Sequence, residues 1–461
     1  MPETRRPPGR LSRIVGSGPV LLLAFAFAVM ADPVSSVAYA VEAALRALNG
    51  DLGLLVITMA LVVAIIALVI VNYHQLIARY PRGGGASAAV GEAFGDGLAF
   101  IPIGSLIVDF VLTIAISVSA GASAIIAYFP EFAPWRLVIA IALVVVVAGI
   151  TWFGHLGRIV FALMALSFVV VAVVVLLFGL GATPVLGGEA IATPNESAAL
   201  AVLFAFPVAM ALATGVEAPS SAIAQLGGLD DRRRRRFGQI TLWLTLGIVG
   251  TITLGLATEA ALLGVGIPGA DSTLIAELAR YVAPAPVFAA FQLVTALLLL
   301  AAASSSFQAG PGLLKALARS TAASGILPRP FSRTNAAHTP YWGVVAFAVL
   351  SILVVGVAGG NDQVLVLFYA VAVFLSFLAG LAAMTRFAWR ERRLGSLALN
   401  GVGTLVVAFT LVVNLGRVYP LVSLAAALVV GGALFALWVR AGRPPGVRHL
   451  EAAAVANEEQ L

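Results

Sequence analysis

The sequence predicts an all-α polytopic membrane protein with 12 transmembrane helices: two inverted five-helix repeats, each with a broken first helix, and two extra helices. Three observations lead there. Of 461 residues, 61% are apolar and 10% charged, and many apolar runs reach the ~18 residues a helix needs to cross ~30 Å of hydrocarbon. The basic residues alternate between successive connections, as topology requires. Two apolar segments five spans apart are each interrupted by an acid, a proline and paired serines.

In chain order, spans are expected at 19–46, 52–73, 98–128, 135–153, 157–182, 196–226, 238–264, 281–310, 341–358, 361–386, 397–415 and 418–440. A basic tail, 1–18, precedes them. The first apolar run is too long for a signal peptide, so span one should be retained. With that tail cytoplasmic, 23 of the 27 basic residues fall on the inner side, leaving Arg46, Arg136, Arg280 and Arg417 outside. Both termini are then expected in the cytoplasm and the chain in the cell membrane. The run Arg232–Arg236 reads as a topology anchor beside anionic lipid, with no nucleic-acid role. Repeat one is expected over 19–182 and repeat two over 196–386; 397–440 are additions, and 441–461 form a short tail. The chain has no cysteine, which excludes disulfides and thiolate chemistry.

The first interruption is Asp32-Pro33-Val34-Ser35-Ser36 and the second Glu217-Ala218-Pro219-Ser220-Ser221. Five spans apart, they cross the membrane in opposite directions, as an inverted repeat demands, and paired breaks of this kind point to a midplane transport site. Freed backbone groups at that depth are tolerated only against protein or a wet cavity. Span three adds Asp109, Thr113 and Ser117, which share one face at i, i+4 and i+8. Span ten adds Tyr369. An uncompensated acid at the bilayer centre costs roughly 2.5–3.5 kcal/mol, which makes Asp32, Asp109 and Glu217 functional candidates. For Ser35, Ser36, Ser119 and Ser220 simple helix packing weighs equally. Glu42, near the outer end of span one, reads as solvated and outside the core site. His74 and His155 read as interfacial.

Five blocks carry a resemblance: Asp-Pro-Val-Ser-Ser-Val-Ala-Tyr at 32–39, Tyr-Pro-Arg-Gly-Gly-Gly-Ala at 80–86, Asp-Phe-Val-Leu-Thr at 109–113, Thr-Gly-Val-Glu-Ala at 214–218 and Leu-Phe-Tyr-Ala-Val-Ala-Val-Phe at 367–374. Together they resemble the amino acid–polyamine–organocation (APC) superfamily, closest to its KimA-type potassium importers. The resemblance implies the LeuT-type fold with spans one and six unwound. It also implies a cation held by Asp32, Tyr39, Asp109, Thr113, Ser117, Thr214 and Tyr369, with Glu217 linked to proton coupling. Two departures stand out. Importers of this kind carry a sizeable cytoplasmic C-terminal domain, which is not seen after span twelve. The loop Arg333–Tyr341 looks more like general amino acid permeases.

Substrate chemistry leans toward the cation. Amino acid carriers of this fold hold the substrate carboxylate on N–H groups at the span-one break. Here that place offers a proline without an N–H and an aspartate that repels a carboxylate. The expected function is therefore proton-coupled potassium uptake by alternating access, with a proton-coupled amino acid permease as the alternative. The expected partners are the substrate, the proton and the lipid bilayer, with a homodimer as the candidate assembly and no cofactor. An enzyme lacks its constellation: there are four histidines, no cysteine and no His-Glu-x-x-His helix. A channel lacks a filter motif.

Overall fold

A computed structural model describes residues 18–154, 157–184, 197–319 and 325–456, and among them every regular element is helical. The basic tail, His155 and the last residues lie outside the described residues. Span one is carried by α1 (Gly18–Val29), α2 (Ala31–Ser35) and α3 (Val37–Ala47). Next come α4 (Leu52–Arg79), a short α5 (Gly85–Phe94), α6 (Phe100–Tyr128), α7 (Arg136–Phe153) and α8 (Arg158–Gly179). Span six comprises α9 (Ala198–Ala209), a 3-10 turn at Met210–Ala213 and α10 (Ala218–Ala222). There follow α11 (Asp231–Leu263), a short α12 (Leu274–Val282), α13 (Ala285–Arg319), α14 (Tyr341–Val357) and α15 (Asp362–Arg390). The chain closes with α16 (Leu394–Leu415), α17 (Val418–Arg440) and a short α18 (Leu450–Ala456).

Among the described residues, ten helices are long and apolar enough to cross a membrane, and two shorter apolar helices, Pro19–Val29 and Tyr341–Val357, stand where spans one and nine are expected. The perimeter is apolar as well: Phe153, Val357 and Leu405 are largely exposed. Such a rim suits lipid and not water. The protein is thus a multi-pass membrane protein. The short helices α5, α12 and α18 fall in connections expected to be plain loops or tail.

Helix starts follow local chemistry. Asp51, Asp230, Thr273 and Asn361 accept backbone N–H bonds at the first turns of α4, α11, α12 and α15, satisfying donors that the helices leave open. The core is built around α6, buried along nearly its whole length and packed against α13, α15 and α17. Between α4 and α16, the buried Asn72 donates to Asn400 at 2.8 Å, and Asn400 donates to Gln75 at 2.9 Å. Amides joined in this way hold apolar helices in register.

The ends of the bundle differ in their electrostatics. At one end Arg79 bridges Glu92 and Glu391, both at 2.6 Å; Arg82 meets Asp231 at 3.4 Å; and Arg448 pairs with Asp96 at 2.5 Å. This end, which also carries the Arg232–Arg236 run, is the arginine-rich face.

α6 and α17 meet backbone to backbone. A Cβ on Gly104 would stand 2.5 Å from the Gly431 nitrogen, and one on Gly431 would stand 2.6 Å from the Phe100 carbonyl oxygen. Neither neighbour is the yielding end of a side chain. Gly104→Ala should therefore cost about 1–3 kcal/mol through overpacking and lower the melting temperature in detergent by a few degrees. Gly149→Ala, with nothing within 4 Å of its Cβ, should leave the melting temperature unchanged or raised. Equal melting of the two variants would contradict the close α6–α17 contact.

Candidate functional site

The two interruptions differ in depth. Through Met30 and Ser36 the backbone stays in the right-handed helical region, and the N–H groups of Met30, Val34 and Ala40 remain bonded four residues back at 2.9 Å each. Span one is therefore jointed, not unwound. Two serine hydroxyls hold the joint: Ser35 Oγ donates to the Asp32 carbonyl, and Ser36 Oγ donates to those of Pro33 and Leu212. Span six does unwind. Thr214 turns extended with ψ 135°, and Gly215 takes φ +72° before α10 resumes.

The two breaks touch at Gly215. A Cβ there would lie 2.8 Å from Asp32 Cγ and 2.9 Å from Pro33 Cδ. Glycine is required both for the left-handed φ and for the approach. The contact brings Asp32 and Glu217 to the wall of one cavity of about 300 Å³, with Asp109 of α6 on the same wall. The three carboxyls are close enough to repel one another when ionised. Asp32 Oδ1 and Glu217 Oε2 have no hydrogen-bond partner among the described residues. Buried carboxylate oxygens left without donors are costly and fit a site that takes up a cation or a proton.

The hydroxyl residues form a deeper tier. Thr113 and Ser117 follow Asp109 at one-turn intervals, about 6 Å each along the helix, and both are buried. Ser117 Oγ has no partner among the described residues. Tyr39, two turns beyond Asp32, lies within hydrogen-bonding reach of the Thr214 side chain. Thr214 Oγ1 donates to the Ala211 carbonyl at 2.6 Å. Tyr369 belongs to α15, but its side chain lies outside the described residues. Ser220 Oγ donates to the Glu217 carbonyl at 2.7 Å, as Ser35 Oγ does to that of Asp32, each three residues back.

The cavity runs from Asp32, Asp109 and Glu217 past Ser221, Gln225, Leu313 and Glu451 toward the arginine-rich face; Tyr39, Thr113, Ser117 and Thr214 are not on its wall. At the opposite end the helices are laced together. Arg136 donates to Ser123 Oγ at 2.5 Å, and Ser123 donates to Asp362 Oδ1 at 2.6 Å. Gln363 reaches the Tyr39 carbonyl at 3.4 Å. Arg46, Arg136, Arg280 and Arg417 bond the carbonyls of Pro268, Ala270, Ala127 and Phe204.

Here one expectation is corrected. Glu42 is 3% exposed, not solvated. It pairs with Arg46 at 2.8 Å and accepts the Leu274 N–H at 2.9 Å, binding span one to the start of α12. Sequence reasoning also missed Ser305, Ser306 and Gln308 on the cavity wall, although they form a polar run inside an apolar span. It missed Asp362, at the very start of span ten, and Glu451, beyond the last span. His74 accepts from Trp243 at 3.2 Å, near the arginine-rich face.

The chain is similar to known proteins. The potassium transporter KimA of Bacillus subtilis (strain 168) is 29% identical over 397 residues, covering 81% of this chain and 63% of KimA. The chain thus spans less than two thirds of that relative's length. The crystal structure of an Eremococcus coleocola manganese transporter, in complex with an aromatic bis-isothiourea substituted compound, aligns over 97% of this chain and 98% of its own, with a TM-score of 0.49 and 12% identity. The relative and the family are transporters, not enzymes. With a family model described as amino acid permease matching residues 21–445, the chain belongs to the amino acid permease family of the APC superfamily.

Proposed function

We propose that this protein is a secondary active transporter that takes up potassium with protons by alternating access. The observation that carries the reading is the contact at Gly215, which gathers three acids from three spans around one cavity. Asp32 and Asp109 supply charge to the cation. Tyr39, Thr113, Ser117, Thr214 and Tyr369 supply oxygens, hard ligands that suit an alkali cation. Glu217, on the mobile side of the span-six break, takes up and gives back the coupling proton. The similarity to a potassium transporter supports this reading. So does the joint at span one, where the N–H groups of Met30, Val34 and Ala40 are bonded within the helix, Pro33 has none, and Asp32 would repel a substrate carboxylate.

In the same reading, spans one to five and six to ten are the inverted repeats, and α16 and α17 are additions. The arginine-rich face is cytoplasmic, as are both termini, and the membrane is the plasma membrane. The arrangement is then inward-facing, with the cavity directed toward the cytoplasmic face and the outer end laced shut. Moving to the outward state requires breaking the Arg136–Ser123–Asp362 chain and the arginine–carbonyl bonds around it. A proton-coupled amino acid permease is the second reading. It is favoured by the family description and by a cavity larger than a bare cation needs.

The deciding experiment is uptake into proteoliposomes, comparing rubidium with a mixed amino acid pool, with and without an inward proton gradient. Gradient-driven rubidium accumulation is expected, whereas amino acid accumulation without rubidium would select the second reading. Asp32→Asn and Asp109→Asn should each lower rubidium uptake by about 100-fold, equivalent to ~2.8 kcal/mol; full activity in both would sink the site assignment. Glu217→Gln should keep rubidium counterflow but lose accumulation driven by the proton gradient. Accumulation at the native level would remove Glu217 from coupling.

A further inference from the structure

The segment after the last span is not a free tail. Val447 and Leu450 are buried, as are Glu451 and Ala454. The segment borders the central cavity, where Glu451 and Ala454 form part of the wall. Three contacts hold it there. Arg448 pairs with Asp96. Glu451 accepts the Ser87 N–H at 3.3 Å, in the first turn of α5, and the Ser221 hydroxyl at 3.2 Å, on α10. α18 also packs closely on α13, where a Cβ on Gly312 would stand 2.7 Å from the Ala454 carbonyl oxygen.

The Gly83-Gly84-Gly85 turn, part of one of the five sequence blocks, is shaped to this segment. All three glycines have positive φ. A Cβ on Gly83 would press on Ala452, one on Gly84 would come within 3.3 Å of the Arg448 carbonyl, and one on Gly85 would overlap the Glu451 carboxylate. A bare turn of this kind admits a second chain segment against its backbone. α10, which receives Glu451, directly follows Glu217, so the segment bridges span six just beyond its break to the first turn of α5.

We propose that Val447–Ala456 is a built-in plug that closes the arginine-rich mouth of the cavity and must undock for each release of substrate. This deepens the proposed transport function and rests on it. Docking also responds to pH. Burial pushes the Glu451 carboxyl up to about 7, despite bonds from Ser87 and Ser221 that oppose the shift. A group whose docked pKa is raised stabilises docking fully below its ordinary value, and that stability is lost as pH rises through about 7. Acidification at this face therefore tightens the plug. Glu217 before α10 and Tyr73 on α4 interact electrostatically with Glu451; its own segment carries Arg448 and His449, and α13, which packs on α18, carries the buried Lys315.

The chain has no native cysteine, so engineered thiols report cleanly. Ala224 and Ala452 both hold a Cβ within 3.3 Å of the point where a Gly83 Cβ would stand. A short reducible bis-methanethiosulfonate linker between Ala224→Cys and Ala452→Cys should abolish rubidium uptake in proteoliposomes, and reduction should restore it. Uptake unchanged after complete linking would overturn the plug. Absence of uptake before linking would instead count against the transport reading.

A second readout needs no substrate. Ala309→Cys on the cavity wall is labelled from the arginine-rich face by a membrane-impermeant thiol reagent. Adding Arg448→Glu, which repels Asp96, should speed labelling about tenfold. That ratio should grow as pH falls from about 8 to about 6, and it should be flat in pH when Glu451→Gln is also present. Equal labelling with and without Arg448→Glu would overturn the plug, and a pH-independent ratio in the Glu451 chain would overturn its pH response.

Discussion

The structure depends on one close approach, that of the span-six backbone at Gly215 to Asp32 and Pro33 of span one. An acid at membrane depth is expensive alone, and here three acids share one wall. They are tolerated because span six opens where span one bends, so the carboxyls face a cavity instead of lipid. Replace Gly215 by any residue with a side chain and both the left-handed turn and the contact are lost. The surrounding scaffold, with α6 at its centre, serves to hold that approach in register.

The breaks in spans one and six are unequal. Span one keeps its hydrogen bonds and yields only at a serine-stapled joint, so it resembles a stiff rod with a pivot. Span six surrenders helical geometry over Thr214 and Gly215 and restarts with a short helix. Motion is easiest where backbone bonds are already missing, which favours span six as the moving member. It is also the member that carries Glu217 and receives Glu451.

Much of this was legible in the chain because long apolar runs and intramembrane acids are strong signals. The expected spans fall on the observed helices, and Asp32, Asp109 and Glu217 meet on one cavity as their shared chemistry suggested. The depth of the span-one break was not legible. A proline removes one N–H, but whether the helix continues past it depends on the neighbouring hydroxyls and the carbonyls they find, here Ser36 with Leu212, which is distant in sequence. Glu42 was misread because its partner, the Leu274 N–H, sits on a short helix with no apolar run to announce it. Glu451 was invisible for the same reason: seven helical residues beyond the last span look like a tail until the glycine turn that accepts them is known.

The seal at the end opposite the arginine-rich face has a further consequence. Each of its four arginines grips a main-chain carbonyl, and in those four bonds the acceptor half is independent of residue identity, unlike the side-chain contacts of Arg46 with Glu42 and of Arg136 with Ser123. Substitution at Pro268, Ala270, Ala127 or Phe204 leaves the carbonyl in place, whereas substitution of Arg46, Arg136, Arg280 or Arg417 removes a bond outright. The carbonyl contacts of this end are therefore genetically one-sided: the bonds can be removed at four arginine positions, whereas a substitution at an acceptor position leaves its carbonyl in place.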